Sequence, residues 1–145
     1  MKIGIVSDHR GIELKKQIKK EFKNIDFIDY GTDSIKSVDY PDYAFKLGKA
    51  INKKEVDLGI AICGSGIGMS IALNKVKKVR CARVTSIKDV KITRNDNNTN
   101  VIAFSSEINF NKVIRMIEEF INTPFSKEER HIRRINKINE YELNH

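Results

Sequence analysis

A cysteine at the head of a glycine-rich loop is the strongest chemical signal in this chain. Cys63 follows the apolar run Leu58–Ile62 and leads into Gly64, Ser65, Gly66, Ile67 and Gly68. Glycines let a backbone come close to an anion, and the start of a following helix offers free N–H donors to hold it. The thiolate is the reactive form of a cysteine, and helix N-termini favour it. The loop lacks the Lys-Ser/Thr ending of a P-loop. It also follows a third strand rather than opening a first βαβ unit, which argues against a dinucleotide fingerprint. A structural cysteine in a tight turn is the plainer alternative.

Three more groups carry chemistry. Ser7-Asp8-His9-Arg10-Gly11 follows the first apolar run. Asp8 can orient His9 or share a proton with it, or simply cap the next helix. The polar run Thr93–Asn100 is dense in side-chain donors and acceptors but also reads as an ordinary long loop, because Asn and Asp form turns. Arg130 and Arg134 stand four residues apart, which on a helix places both on one face about 6 Å apart at Cβ. Such a pair suits a bidentate grip on a phosphate, or it is a solvated basic face.

The elements that position these groups alternate. Strand-like runs are expected at Lys2–Ser7, Ile25–Asp29, Leu58–Ile62, Val79–Val84 and Val101–Ser105. Helical periodicity is expected at Gly11–Lys23, from Pro41 through Ile51, after the glycine loop, over a short Ile87–Arg94 segment, and over Phe110–Ile121. Alternation of this kind implies parallel strands with right-handed crossovers, an α/β three-layer sandwich. No repeat or linker divides the chain, so residues 1–145 read as one domain. After Thr123-Pro124, Ser126 and Glu129 form a capping-box pattern. The helix they predict, about 126–141, has a narrow apolar stripe of Ile132, Ile135 and Ile138, which packs on its own domain or, as expected here, on a partner subunit.

Composition narrows the class. The 145 residues are 40% hydrophobic and 32% charged, which suits a globular domain. No apolar run approaches the roughly 20 residues that span a bilayer. The N-terminus lacks a signal-peptide layout, so a cytoplasmic location is expected. Two cysteines without a CxxC or His pair indicate neither a disulfide framework nor zinc. Cys81, in an apolar run, reads as a core residue. The net charge of +8 arises largely at helix-surface spacing, as at Lys15, Lys16, Lys19 and Lys20. It is read as a solvated face, with no nucleic-acid or membrane partner.

Taken together and in order, SDHRG at 7–11, DYPDYA at 39–44, ICGSGIGMSIALNK at 62–75, NNTNVIAF at 97–104 and RHIRRI at 130–135 resemble the type B ribose-5-phosphate isomerases. The relatives of that family are the galactose-6-phosphate and allose-6-phosphate isomerases. The resemblance covers essentially the whole chain. It implies a Rossmann-like α/β/α fold with a five-stranded parallel sheet and an extra C-terminal helix. It also implies a homodimer or dimer of dimers with sites shared between subunits, and no metal or organic cofactor.

The implied reaction interconverts ribose 5-phosphate and ribulose 5-phosphate through an enediolate. Cys63 matches the family's base. Ser65 and the amides of Gly64, Gly66, Ile67 and Gly68 would hold the oxyanion. Asp8, His9 and Asn97 match sugar contacts, and Arg130 and Arg134 match phosphate contacts. Two positions depart from the pattern. Asp96 stands where many members have a ring-opening histidine, and is assigned that acid/base role here. Glu107 stands where many have a phosphate-contacting arginine, leaving Arg94 or Arg10 as compensating cations, or a shifted substrate. The two departures are expected to lie close to one site. The alternatives are the same chemistry on a six-carbon sugar phosphate, or a non-catalytic phosphosugar-binding module.

Overall fold

The computed structural model describes residues 1–145. Its strands are β1 (Lys2–Ser7), β2 (Asp26–Asp29), β3 (Leu58–Cys63), β4 (Cys81–Arg83) and β5 (Val101–Ser105). All pair in parallel, in the order β2–β1–β3–β5–β4. The helices are α1 (Ile12–Glu21), α2 (Tyr40–Asn52), α3 (Ile67–Leu73), α4 (Ile87–Asn97), α5 (Phe110–Asn122) and α6 (Glu129–Asn144). No helix is long and apolar enough to cross a membrane.

Central position explains the composition of β3. All six of its residues are buried, as expected for a parallel strand covered on both faces. Ile3, Ile5, Ile60, Ile62, Ile102 and Phe104 form one face, packed with Leu14 and Ile18 of α1 and Val113, Met116, Ile117 and Phe120 of α5. Val6, Ala61, Cys63 and Ala103 form the other, against Ala44, Leu47 and Ile51 of α2 and Met69, Ala72 and Leu73 of α3. These are the three layers the alternation predicts.

From β1 the chain steps outward to β2, then crosses back to β3 on the opposite side. The carboxyl ends of β1 and β3 thus flank the crevice where open α/β sheets bind ligands. SDHRG and CGSGIG are the two segments that leave those ends.

Several local expectations need correction. β4 covers Cys81–Arg83 rather than Val79–Val84. Where this edge strand begins, side-chain amides supplement the ladder to β5: Asn100 Oδ1 accepts from Arg80 N at 2.8 Å, and Asn74 Oδ1 accepts from Cys81 N at 2.8 Å. Cys81 is half-buried, and burial pushes its thiol pKa up.

α4 runs to Asn97, so Thr93 to Asn97 are helical rather than a loop. Ser86 caps its start by accepting from Asp89 N, and Asn98 stops it in the left-handed region at φ 46°, a conformation asparagine tolerates. α6 starts at Glu129, and Ser126 does not cap it. Lys127 has φ 58° and turns the chain, and the Ser126 hydroxyl bonds His131 Nδ1 at 2.7 Å instead.

Lys15 is not part of a solvated face. It is fully buried, and its Nζ reaches Asp29 Oδ1 at 2.9 Å and the Thr32 carbonyl at 2.6 Å. Burial opposes the Asp29 charge. Hydrogen bonds from Lys19, Lys15 and the Gly31 amide outweigh it and hold the carboxyl pKa below its usual value.

Candidate active site

β3 delivers Cys63 to the carboxyl edge of the sheet with its side chain buried. The Gly66 amide donates to Cys63 Sγ at 3.1 Å, so the thiol is fixed by the loop it opens. Gly66 has φ +80°, and a Cβ there would stand 2.7 Å from the Phe104 backbone. Only glycine lets the loop close this tightly on β5. β5 fastens it further: Ser106 N donates to the Cys63 carbonyl at 2.9 Å and Ser105 Oγ to the Gly64 carbonyl at 2.7 Å.

The loop amides divide into two sets. Gly66 N is spent on Cys63 Sγ, and Ile67 N donates to Ser65 Oγ at 3.1 Å. The amides of Gly64, Ser65 and Gly68 have no acceptor within the chain. They remain free for an oxyanion, together with the Ser65 O–H. The expectation that Gly66 and Ile67 would share that task meets a geometric objection, because both already serve the loop.

Beside this loop lies the turn after β1. Asp8 is buried, and its Oδ1 accepts from Arg10 N at 2.9 Å, capping the 3-10 turn His9–Gly11. It makes no hydrogen bond to His9. Instead His9 Nδ1 accepts from Val38 N at 3.3 Å, which leaves Nε2 to carry the ring proton. Two further groups border the loop. Arg83 Nε donates to the Ser65 carbonyl at 3.1 Å, and the Tyr40 ring rests on the Gly68 α-carbon.

The remaining candidates stand elsewhere. Gly59 pairs with Val101 and Cys63 with Ser105, so Cys63 lies level with the end of β5. Asp96 and Asn97 precede the start of β5, at the amino edge, where the Asn97 carbonyl accepts from Arg80 Nε. β5, five residues long, separates the two edges, a span of roughly 17 Å. Asp96 and Glu107, expected near one site, therefore sit at opposite ends of β5.

Asp96 Oδ1 accepts from Asn95 Nδ2 at 2.7 Å and lies 3.8 Å from His131 Nε2. His131 is buried on α6. The exposed Arg130 pairs with Glu128 at 3.0 Å, while Arg134 is exposed with no ion pair. No hydrogen bond or ion pair links Asp96, Asn97, Arg130 or Arg134 to residues 63–68. Arg94 is excluded as a free compensating cation. Its guanidinium is half-buried and holds the Thr123 carbonyl, Asn98 Oδ1 and the Thr99 carbonyl. Two cavities of about 640 and 690 Å³ lie along the C-terminal part of α6, neither lined by Cys63.

A family model described as Ribose/Galactose Isomerase matches residues 3–138. The chain belongs to the ribose/galactose isomerase family. The ribose-5-phosphate isomerase B of Escherichia coli is 38% identical over 118 residues, covering 80% of this chain and 79% of that one. The solved structure of Clostridium thermocellum ribose-5-phosphate isomerase B aligns with a TM-score of 0.95 at 37% identity, covering 99% of each chain. That of Mycoplasma genitalium ribose-5-phosphate isomerase B, with bound ribulose-5-phosphate, aligns with a TM-score of 0.92 at 38% identity. It covers 99% of this chain and 97% of that one.

For a member of this isomerase family, the fold brings Asp8, His9 and the Cys63–Gly68 loop together and leaves Asp96, Asn97, Arg130 and Arg134 apart. Sequence reasoning missed Ser105, Arg83 and Tyr40 as neighbours of the loop. Tyr40 lies in the DYPDYA motif, so a signal existed but without a role. Ser105 and Arg83 gave none, since only strand pairing brings them to residues 63–68. His131 was visible in RHIRRI, but its partnership with Ser126 and Asp96 depends on how α6 meets α4.

Proposed function

We propose that this isomerase interconverts ribose 5-phosphate and ribulose 5-phosphate, with Cys63 as the base that moves a proton between C2 and C1. The observation that carries the reading is the buried Cys63 Sγ at the mouth of a loop with three unspent amides. These amides and the Ser65 hydroxyl hold the oxygen that becomes negative in the enediolate. His9, through Nε2, and Asp8 contact the sugar hydroxyls. No metal or organic cofactor enters this scheme, because each step is a proton transfer.

The amino-edge groups serve a second copy of the chain. Asp96 exchanges the ring-opening proton, with His131 Nε2 behind it. Asn97 contacts the sugar, and Arg130 and Arg134 grip the phosphate. Three observations support a shared site in a homodimer. Asp96 and Asn97 lie a strand length from Cys63, the arginines face solvent, and the apolar Ile67 and Ile71 are exposed on α3 beside the loop. Two free cysteines fit a cytoplasmic setting.

The deciding experiment compares kcat/KM for ribose 5-phosphate, allose 6-phosphate and galactose 6-phosphate. Preference for the pentose phosphate is expected. Turnover of a hexose phosphate alone would reassign the substrate, and turnover of none would reduce the protein to a binding module.

A further inference from the structure

One cation at the carboxyl edge remains without a task. Arg10 follows Asp8 and His9 in the 3-10 turn, and its side chain crosses to the neighbouring loop. A Cβ built on Gly64 would stand 2.9 Å from Arg10 Nη1, 3.3 Å from Cδ and 3.7 Å from Cζ. The guanidinium therefore rests on the α-carbon of the residue that follows Cys63. A side chain at position 64 would displace it, so the glycine and the arginine fit one another.

Arg10 also differs in its bonding from the other arginine at this loop. Arg83 spends its Nε–H on the Ser65 carbonyl. The Arg10 guanidinium makes no hydrogen bond and no ion pair. Asp8, the nearest acid in sequence, accepts from the Arg10 backbone amide instead. Five unspent guanidinium donors thus stand beside Gly64, whose amide is also unspent. Guanidinium is suited to planar, delocalised anions, which it meets with two parallel hydrogen bonds. An enediolate is such an anion.

We propose that Arg10 contacts the reacting end of the substrate and neutralises the charge that develops on its C1 and C2 oxygens. This rests on the isomerase reading above. When the Cys63 thiolate takes the C2 proton, the C2–H electron pair becomes the C1–C2 double bond. The carbonyl pair moves onto O1, which becomes negative close to Arg10 and the loop amides. A proton then passes from O2 to O1, the thiol returns its proton to C1, and the C2 carbonyl forms. Atoms and charge balance without any co-reactant. Phosphate recognition stays with Arg130 and Arg134, so Arg10 acts on kcat rather than on phosphate affinity.

The test uses Arg10→Met, which keeps the stem over Gly64 and removes the charge, and Arg10→Lys, which keeps the charge and loses the fork. Each is assayed with ribose 5-phosphate, and for inhibition by inorganic phosphate and by the hydroxamate of a phosphorylated four-carbon sugar acid, whose planar oxygens mimic the enediolate. Arg10→Met is expected to lower kcat about 100-fold and weaken the hydroxamate in parallel, with phosphate inhibition unchanged. Arg10→Lys should recover about a tenth of the wild-type kcat. A kcat for Arg10→Met within about threefold of wild type would overturn the proposal, since losing one oxyanion donor costs far more. So would an equal loss of phosphate and hydroxamate affinity, which would place Arg10 on the phosphate. Wild-type turnover in the same assay tests the isomerase reading separately.

Discussion

The two edges of the sheet hold chemical groups in different ways. At the carboxyl edge, each fastening bond has a backbone atom on at least one side. Gly66 N holds Cys63 Sγ, the Cys63 carbonyl accepts from Ser106, and Asp8 caps its own turn. At the amino edge, side chains hold one another: Ser126 with His131, His131 near Asp96, and Asp96 with Asn95. The first arrangement is complete within one chain. The second presents unpaired Arg134 and exposed Asn97 to solvent with no Cys63 nearby. A strand-end loop can converge donors from local geometry, whereas side chains carried on helix surfaces need a second surface to enclose them.

The largest expected effect tests whether the two edges make one site. Cys63→Ala should lower kcat by about 10³-fold or more, the usual scale for losing a general base, while Tm falls by only several degrees, the cost of the lost Gly66 N–H···Sγ bond. Arg134→Met should keep about a tenth of wild-type activity or less at low substrate. After co-refolding of the two variants, about a quarter of wild-type activity should return, because half of randomly paired dimers are mixed and each carries one intact site. No recovery would mean that each chain supplies its own whole site.

Asp96→Asn should slow turnover of the cyclic sugar about 100-fold and leave an acyclic analogue much less affected. Equal slowing of both would remove Asp96 from ring opening. Arg134→Met alone should raise KM about 10-fold or more, the cost of one charge-assisted hydrogen bond. If kcat fell instead, phosphate binding would not be its role.

The smallest effect concerns stability and spares the amino edge. Asp29 has its pKa held below the unfolded value of about 4, so it contributes stability above that value. The contribution is lost as pH falls through the lower folded pKa. Asp29→Asn should lower the urea midpoint at pH 7 and narrow the gap between variant and wild type at pH 3. An undiminished gap at pH 3 would show that packing, not charge, is responsible.

Much of the carboxyl edge was legible in the sequence. Leu58–Ile62 is a buried strand by composition, the glycines mark the close turn, and the polar run at 7–11 follows the other apolar run. Each is a local signal. The burial of Lys15 was not legible, because its spacing beside Leu14 differs little from that of an exposed lysine. Only Asp29 and the Thr32 carbonyl, reached from β2 and the loop beyond, make burial tolerable. Asp96 and Asn97 read as loop because Asn and Asp favour turns. Ser86 and the partners of Arg94 extend the helix over them. Ser126 fitted a cap by spacing and was diverted by a buried imidazole that needed a partner.

The sequence by itself determined the α/β alternation, the residue types of the site and the family to which the chain belongs, since these rest on patterns a few residues long. Tertiary structure decided which of those residues meet. The crossover helix α4 returns from the end of β4 to the amino edge, so Asp96 and Asn97, though close to β5 in sequence, end a strand length away from Cys63. It also set Arg10 on Gly64, a contact between two turns more than fifty residues apart, because β1 and β3 are neighbours in the sheet.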